Sequence, residues 1–346
     1  MKKWLILLLC LITLSPALAD ETFFYTNSSV TTCEQTQSLY DNFYQSGQLS
    51  VNIPGLKEGL VPQGIAYLKE ENCLLFAGYR TDKDNSALIA VSLDTNEIVK
   101  EVFLQNADGS VYNGHAGGVC VTEKNIYVSN AHKLLRIPLE TYRSLPSSAA
   151  CAFAEVIPVP VNSSYCCYDN GILWVGEFQY GTSYKTDKSH RANTADGRYQ
   201  AWTCGYVLDP ETENELKPTA LTSDGDAVPD YILSTPERIQ GITFSNDQFY
   251  LSQSYGRQSN SILYRYDNVL GRDPDSSAEV NGCSVPMWFL DKNALNGALL
   301  CPPMTECLCS IDGEVYILFE SGAETYMAPG NASLNPMDRV FCLTEF

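Results

Sequence analysis

Histidine is nearly missing from this chain: three in 346 residues, at positions 115, 132 and 190. No C-x-x-C pair, no H-E-x-x-H and no G-x-S-x-G occurs, which removes the usual zinc modules, the zincin proteases and the serine nucleophile elbow. No G-x-G-x-x-G follows a strand and opens a helix, and there is no P-loop, so mononucleotide and dinucleotide folds are excluded. Positive charge is also scarce. Lys and Arg number 22 against 41 Asp and Glu, a formal net charge of −19. Such a surface repels phosphate backbones and anionic lipid, so neither nucleic acid nor membrane is an expected partner. Heptads and long helical periodicities are lacking, which argues against a helical bundle.

One apolar run stands at the start. Lys2 and Lys3 precede Trp4 to Leu14, and Ala17-Leu18-Ala19 follows. This is the pattern of a secretory signal peptide, residues 1–19, cut after Ala19; the run falls short of the roughly 20 residues needed to span a bilayer. The expectation is a soluble, secreted or periplasmic protein, acting as a monomer. Thirteen cysteines occur, of which Cys10 leaves with the leader. In an oxidising compartment some of the rest are expected to pair. Cys33, Cys151, Cys204, Cys283 and Cys301, in loop-like surroundings, are the disulfide candidates, with connectivity open. Cys120, Cys166, Cys167 and Cys309 sit in apolar strands and read as core thiols. Asn27, Asn162 and Asn331 lie in N-x-S sequons, whose use the sequence leaves open.

What the chain has in abundance is short strands, rich in Val, Ile, Tyr and Phe, broken by Asn, Asp and Gly. The stretch Ile239 to Gly256, IQGITFSNDQFYLSQSYG, states the pattern best: an apolar strand, a polar turn and a second strand ending in polar residues. The same sentence begins at Val61, His115, Ser163 and Met304. Each unit continues into a third and fourth strand, so the repeat is a four-stranded meander. The fold class predicted is all-β, a β-propeller of five blades, or six if insertions in the third and fourth units conceal another. The fifth unit lacks an outer strand, and Gln48 to Ile53 is spare. The N-terminal strand is therefore expected to pair with the C-terminal blade and close the ring, which leaves no open sheet edge between first and last units. Residues 20–46 become a cap with a short helix near Glu34 to Tyr44, and 47–346 a single propeller domain. Outer strands are expected at Glu101 to Leu104, Glu155 to Val159, Tyr231 to Ser234 and Trp288 to Leu290.

In a propeller, the starts of inner strands and the ends of second strands converge on one mouth of the central channel. Polar residues recur at both places: Gln63, His115, Ser163, Gln240 and Glu306 at the starts, and Tyr79, Arg80, Asn130, His132, Glu177, Gln253 and Glu320 at the ends. Convergent donors and acceptors in a concavity make a ligand site. The ligand-binding candidates are Gln63, Tyr79, Arg80, His115, Asn130, Glu177, Gln240, Gln253, Glu306 and Glu320. His115 with Glu177 is the candidate acid–base pair, and Arg80 reads as counter-ion to a funnel carboxylate. Within the long insertion Phe178 to Trp202, the stretch Tyr180 to Tyr199, with Tyr184, His190, Arg191 and Tyr199, reads as a lid over the mouth or a surface loop.

The alternation of G-I inner strands with polar strand ends resembles the calcium-dependent propeller hydrolases, the gluconolactonase/senescence-marker and paraoxonase/strictosidine-synthase-like groups. The run HAGG, then QGITFSNDQFYLSQSYG, MTECL and ILFESGA, is more similar still to secreted bacterial propellers of unassigned function, over roughly residues 60 to 346. The enzyme resemblance implies a calcium at the channel centre held by Glu177, Glu306 and Asn130. Two functions stay open: a binding module for a small polar molecule, sugar or peptide, and a calcium-dependent hydrolase of lactones or esters.

Overall fold

The computed structural model describes residues 23–30, 38–330 and 332–346. The signal-peptide and Cys33 expectations therefore fall outside the described residues, as does Asn331.

Five sheets, each an antiparallel meander at its centre, follow one another along the chain. Blade 1 is built from Leu60–Leu68, Cys73–Arg80, Ala87–Ser92 and Ile98–Gln105, and blade 2 from Gly118–Val121, Asn125–Asn130, Lys133–Pro138 and Glu155–Pro158. Blade 3 uses Ser163–Asp169, Ile172–Glu177, Ala201–Val207 and Tyr231–Thr235. Blade 4 uses Ile239–Ser245, Gln248–Gln253, Ser261–Asp267 and Leu295–Cys301. Blade 5 is Thr305–Ile311, Glu314–Phe319 and Arg339–Leu343, completed by Gly47–Asn52 from the N-terminal side. That last strand pairs antiparallel with Arg339–Leu343, Gly47 opposite Leu343 and Leu49 opposite Phe341. The ring is thus closed by the strand expected to close it.

Turn chemistry sets the inner hairpins. Asn170-Gly171, Asn246-Asp247 and Asp312-Gly313 all have positive φ at both central positions, the geometry of the two-residue turn that matches strand twist. The inner strands then touch in order around the axis, first to second through fifth to first. Their backbones come so close that side chains have no room. A Cβ on Gly64 would lie 2.6 Å from the Val119 nitrogen, on Gly118 2.5 Å from the Cys166 nitrogen, and on Gly241 2.6 Å from the Cys307 Cα. Outward from the axis, apolar layers fill the space between blades. Between blades 1 and 2, Leu75, Leu88 and Val102 pack with Val119, Ile126 and Val128. Each such buried side chain contributes about 1.5–3 kcal/mol.

The cap helix expected near Glu34 to Tyr44 falls within the described residues only from Ser38 onward. Within the described residues a 3-10 turn, Ser38–Tyr40, leads into a helix at Asp41–Gln45, whose Phe43 stacks on Phe341 at 4.0 Å. Residues 23–30 run across the closing seam. Their Phe24 and Tyr25 N–H groups donate to Glu101 of blade 1 at 2.7 and 3.0 Å, and Val30 N–H to Asp338 beside blade 5 at 2.8 Å.

Two expectations are corrected. The outer strand of blade 4 is Leu295–Cys301, not Trp288 to Leu290. Cys283–Phe289 instead runs parallel to Tyr231–Thr235 and, with Ser276–Val280, extends blade 3 to six strands. A hydrophobic run before an inner strand was an ambiguous signal because two such runs precede Thr305. The second correction concerns sulfur: every described cysteine is a free thiol. Cys151, Cys204 and Cys301 lie in strands rather than loops and are buried in three different interblade layers, while Cys283 is exposed.

Candidate functional site

The inner strands do not start evenly. The ladder slips between Pro62 and Gly64, Ser163 and Tyr165, Ile239 and Gly241, and Thr305 and Leu308. These β-bulges fall at the same height in blades 1, 3, 4 and 5. A bulge re-aims the side chain it carries, and the bulged residues include Gln63, Gln240 and Glu306. They open into a cavity of about 540 Å3 at the mouth where second strands end. Its wall also includes Tyr79, His115, Asn130, Glu320, Arg257 and Tyr326. Phe178 and Tyr184 of the long insertion reach the same wall, so that insertion folds over the mouth. Phe178 meets Tyr184 edge-on at 5.1 Å, and Tyr180 lies 4.4 Å from Tyr255.

Among the described residues four glutamates are at most 2% exposed: Glu101, Glu177, Glu215 and Glu306. A buried carboxylate is costly unless donors surround it, and three of the four are surrounded. Glu101 accepts from Phe24 N–H, Tyr25 N–H and the Ser148 hydroxyl at 2.7, 3.0 and 2.6 Å. Glu177 meets His190 Nδ1 at 2.6 Å and accepts the Trp202 and Asn162 N–H groups at 3.1 and 3.2 Å. Glu215 takes Asn125 Nδ2 at 2.8 Å, the Lys124 N–H at 3.3 Å and the Thr122 hydroxyl.

Glu306 differs. It faces the half-buried Glu320 within hydrogen-bonding reach, carboxyl to carboxyl. The amide that reaches Glu306 is Gln240 Nε2, at 3.3 Å. Gln63 Nε2 donates to Glu320 at 2.8 Å, and the Tyr326 hydroxyl also bonds Glu320. Burial, then the charge of Glu320, pushes the Glu306 acid well above the ordinary carboxylate range. Burial lifts Glu320 too, against the opposing pull of its Gln63, Tyr326 and Glu306 hydrogen bonds. Two acids this close hold a proton between them rather than both ionising. His115 stacks on Tyr79 at 4.7 Å, and desolvation, then the nearby Lys83 ammonium, lowers its pKa, which favours the neutral ring.

The sequence candidates divide. Gln63, Tyr79, His115, Asn130, Gln240, Glu306 and Glu320 come together in the cavity wall. Arg80, Glu177 and Gln253 do not. Arg80 pairs with Asp82 and lies over the Phe24 ring, so it is no counter-ion to a funnel carboxylate. Gln253 is spent on the Glu237 carbonyl at 2.8 Å and the Tyr264 hydroxyl at 3.2 Å. Glu177 lies behind the wall. Its imidazole partner is His190, stacked at 3.8 Å on Trp202, rather than His115. His132 is exposed at positive φ in the turn after the second strand of blade 2. Tyr326 and Arg257 were missed; both lie in irregular segments after second strands, where no periodicity marks them.

A second cavity, about 530 Å3, opens at the opposite end of the inner strands. Its Arg143 is committed to Glu70, Glu71 and Glu140, at 2.8, 2.7 and 3.1 Å. Its wall also carries Glu123, Asp169 and Asp312, and burial lifts the Asp169 acid to about 6.

No protein-family model matches the chain, and no curated protein matches it. Solved structures do resemble it. A GH43_1 enzyme from Xanthomonas citri complexed with xylose aligns with a TM-score of 0.43 at 11% identity, over 88% of this chain and 92% of that one. A glutaminyl cyclase from Myxococcus xanthus aligns at 0.41 and 11%, over 86% and 94%. A Dos1 propeller aligns at 0.32 and 9%, over 76% of this chain and 55% of that one. These likenesses concern fold alone, and the fold is the five-bladed propeller described above.

Proposed function

We propose that this chain is a binding protein, monomeric and exported, whose funnel takes a small polar ligand. The observation that carries this reading is the Glu306–Glu320 pair at the cavity wall, Glu306 buried and Glu320 half-buried, with Gln63 and Gln240 beside it. Polar groups held in a desolvated concavity with few internal partners are costly to the fold. A ligand that supplies the missing partners gives them a use. A thermal-shift panel of monosaccharides, amino acids and short peptides tests it. A binder raises the melting temperature of the wild-type protein and leaves that of the Gln63→Leu/Gln240→Leu double variant unmoved. A flat response across the panel, or a shift that survives in the variant, defeats the reading.

The calcium-dependent hydrolase is the second reading. Its expected ligands do not fit a cation as a set: Glu177 already has three partners, and Asn130 Oδ1 accepts the His115 backbone N–H at 3.1 Å. Of the two carboxylates only Glu306 lines the cavity, so the three residues do not converge on one ion. Export rests on Lys2, Lys3 and the apolar run after them. N-terminal sequencing of the protein recovered outside the cell, with a start just after Ala19, checks it.

A further inference from the structure

We infer that the ligand carries an organic ammonium group, seated between Glu306 and Glu320 with its carbon frame against Tyr326 and the Phe178–Tyr184–Tyr255 rings. The inference rests on the funnel reading above and adds the charge class of what enters.

The argument is a shortfall of donors. Glu101, Glu177 and Glu215 show what this fold does with a glutamate it means to keep buried: it gives each carboxylate three donors from backbone, hydroxyl, amide or imidazole groups. Glu306 gets one long amide contact and another acid, and the cation of the protein that acts on the pair, Arg257, acts on Glu320. The open side of both acids is the cavity. What completes the pair must bring several N–H or O–H donors and offset negative charge. A primary ammonium does both, with three donors on one cationic centre. A neutral sugar brings hydroxyls and leaves the charge in place.

The wall points the same way. Aromatic faces attract cations, and the rings at this rim already do so with the protein's own. Arg257 lies 4.7 Å from the Tyr326 centroid, Lys83 5.7 Å from Tyr79, and Arg238 5.5 Å from Tyr180. The net charge of −19 draws cations toward the molecule from a distance. A metal ion is served less well, because Gln63 and Gln240 turn NH2 groups, not carbonyl oxygens, toward the acids.

Titration calorimetry of the full-length mature protein with n-butylammonium, 1-butanol, xylose and calcium chloride, near neutral pH, decides it. The expected result is that n-butylammonium binds about tenfold or more tighter than 1-butanol. Its heat should also vary with buffer ionisation enthalpy, because the proton shared by the acids leaves as the ammonium arrives. Glu306→Gln and, separately, Glu320→Gln should each erase that preference while keeping a cooperative thermal melt. Equal affinity for 1-butanol, or binding of xylose alone, overturns the ammonium and leaves the funnel reading standing. Binding of calcium without the amine makes the pair a metal seat and overturns it as well. Silence from every probe counts against both readings.

Discussion

Replacing Glu306 by Gln is the sharpest probe of the carboxyl pair, because shape is kept and only charge and proton change. In the wild-type protein the two acids hold protons that the unfolded chain gives up above its ordinary glutamate value of 4.5. Unfolding therefore releases protons once the pH exceeds 4.5, and stability falls as pH rises until the folded pair itself ionises. Glu320 alone is lifted to about 7. A tenfold change in proton affinity between folded and unfolded chain corresponds to about 1.4 kcal/mol, so the lifted acids destabilise the fold increasingly as pH rises above the unfolded value and almost not at all below it. The new amide of Glu306→Gln donates to Glu320 and removes the repulsion. The variant no longer carries the Glu306 acid and should match the wild type at low pH and exceed it above neutrality by at least about 1 kcal/mol. Urea unfolding of both proteins across that range measures the difference, in which the self-repulsion of the rest of the surface cancels. A variant whose stability tracks the wild type at every pH, or falls below it as pH rises, refutes the shared proton.

Other perturbations follow from the same geometry. Gly64→Ala puts a methyl 2.6 Å from the Val119 nitrogen, a backbone atom that cannot step aside, and should lower stability by about 1–3 kcal/mol in thermal melts. His190→Ala strips a partner from the buried Glu177 and should cost about 3–5 kcal/mol, and limited proteolysis should then cut first within 178–202. Val51→Asp places a charge at the buried Val51 of the strand that closes blade 5, and should lower the melting temperature without creating a separate transition. Among the described cysteines, alkylation of the native protein followed by peptide mapping should label Cys283 well before the buried thiols.

The ring was legible because it is written in repetition. Ile239 to Gly256 recurs with turn residues at fixed places, and a spare N-terminal strand matched a missing outer one. What was not legible was register. The bulges at Gln63, Gln240 and Glu306 decide which side chains face the axis, and a one-residue slip leaves no mark in an alternating pattern. That is why Gln253 and Arg80, equally polar and equally placed at strand ends, turned out to serve the wall, while Tyr326, in a segment without periodicity, faces the cavity. The disulfide expectation failed for a related reason: Cys151, Cys204 and Cys301 stand in strands whose boundaries polar neighbours disguised.

Glu177 and Glu306 carry the deeper lesson. Both are single acids at the funnel end of a blade, and by residue type and position they are equivalent candidates. Their surroundings separate them. The long insertion brings His190 and the Trp202 N–H to Glu177 and converts it into an anchor, so the aromatic rim at Phe178 and Tyr184 is tied down by a carboxylate that does not line the cavity. No described segment does this for Glu306; the chain places Glu320 there instead, and with it a repulsion the fold has to absorb. Natural proteins tolerate such costs where function demands them. The acid worth following is therefore the one the fold leaves under-served, and the insertion that satisfies its neighbour also builds the rim over it.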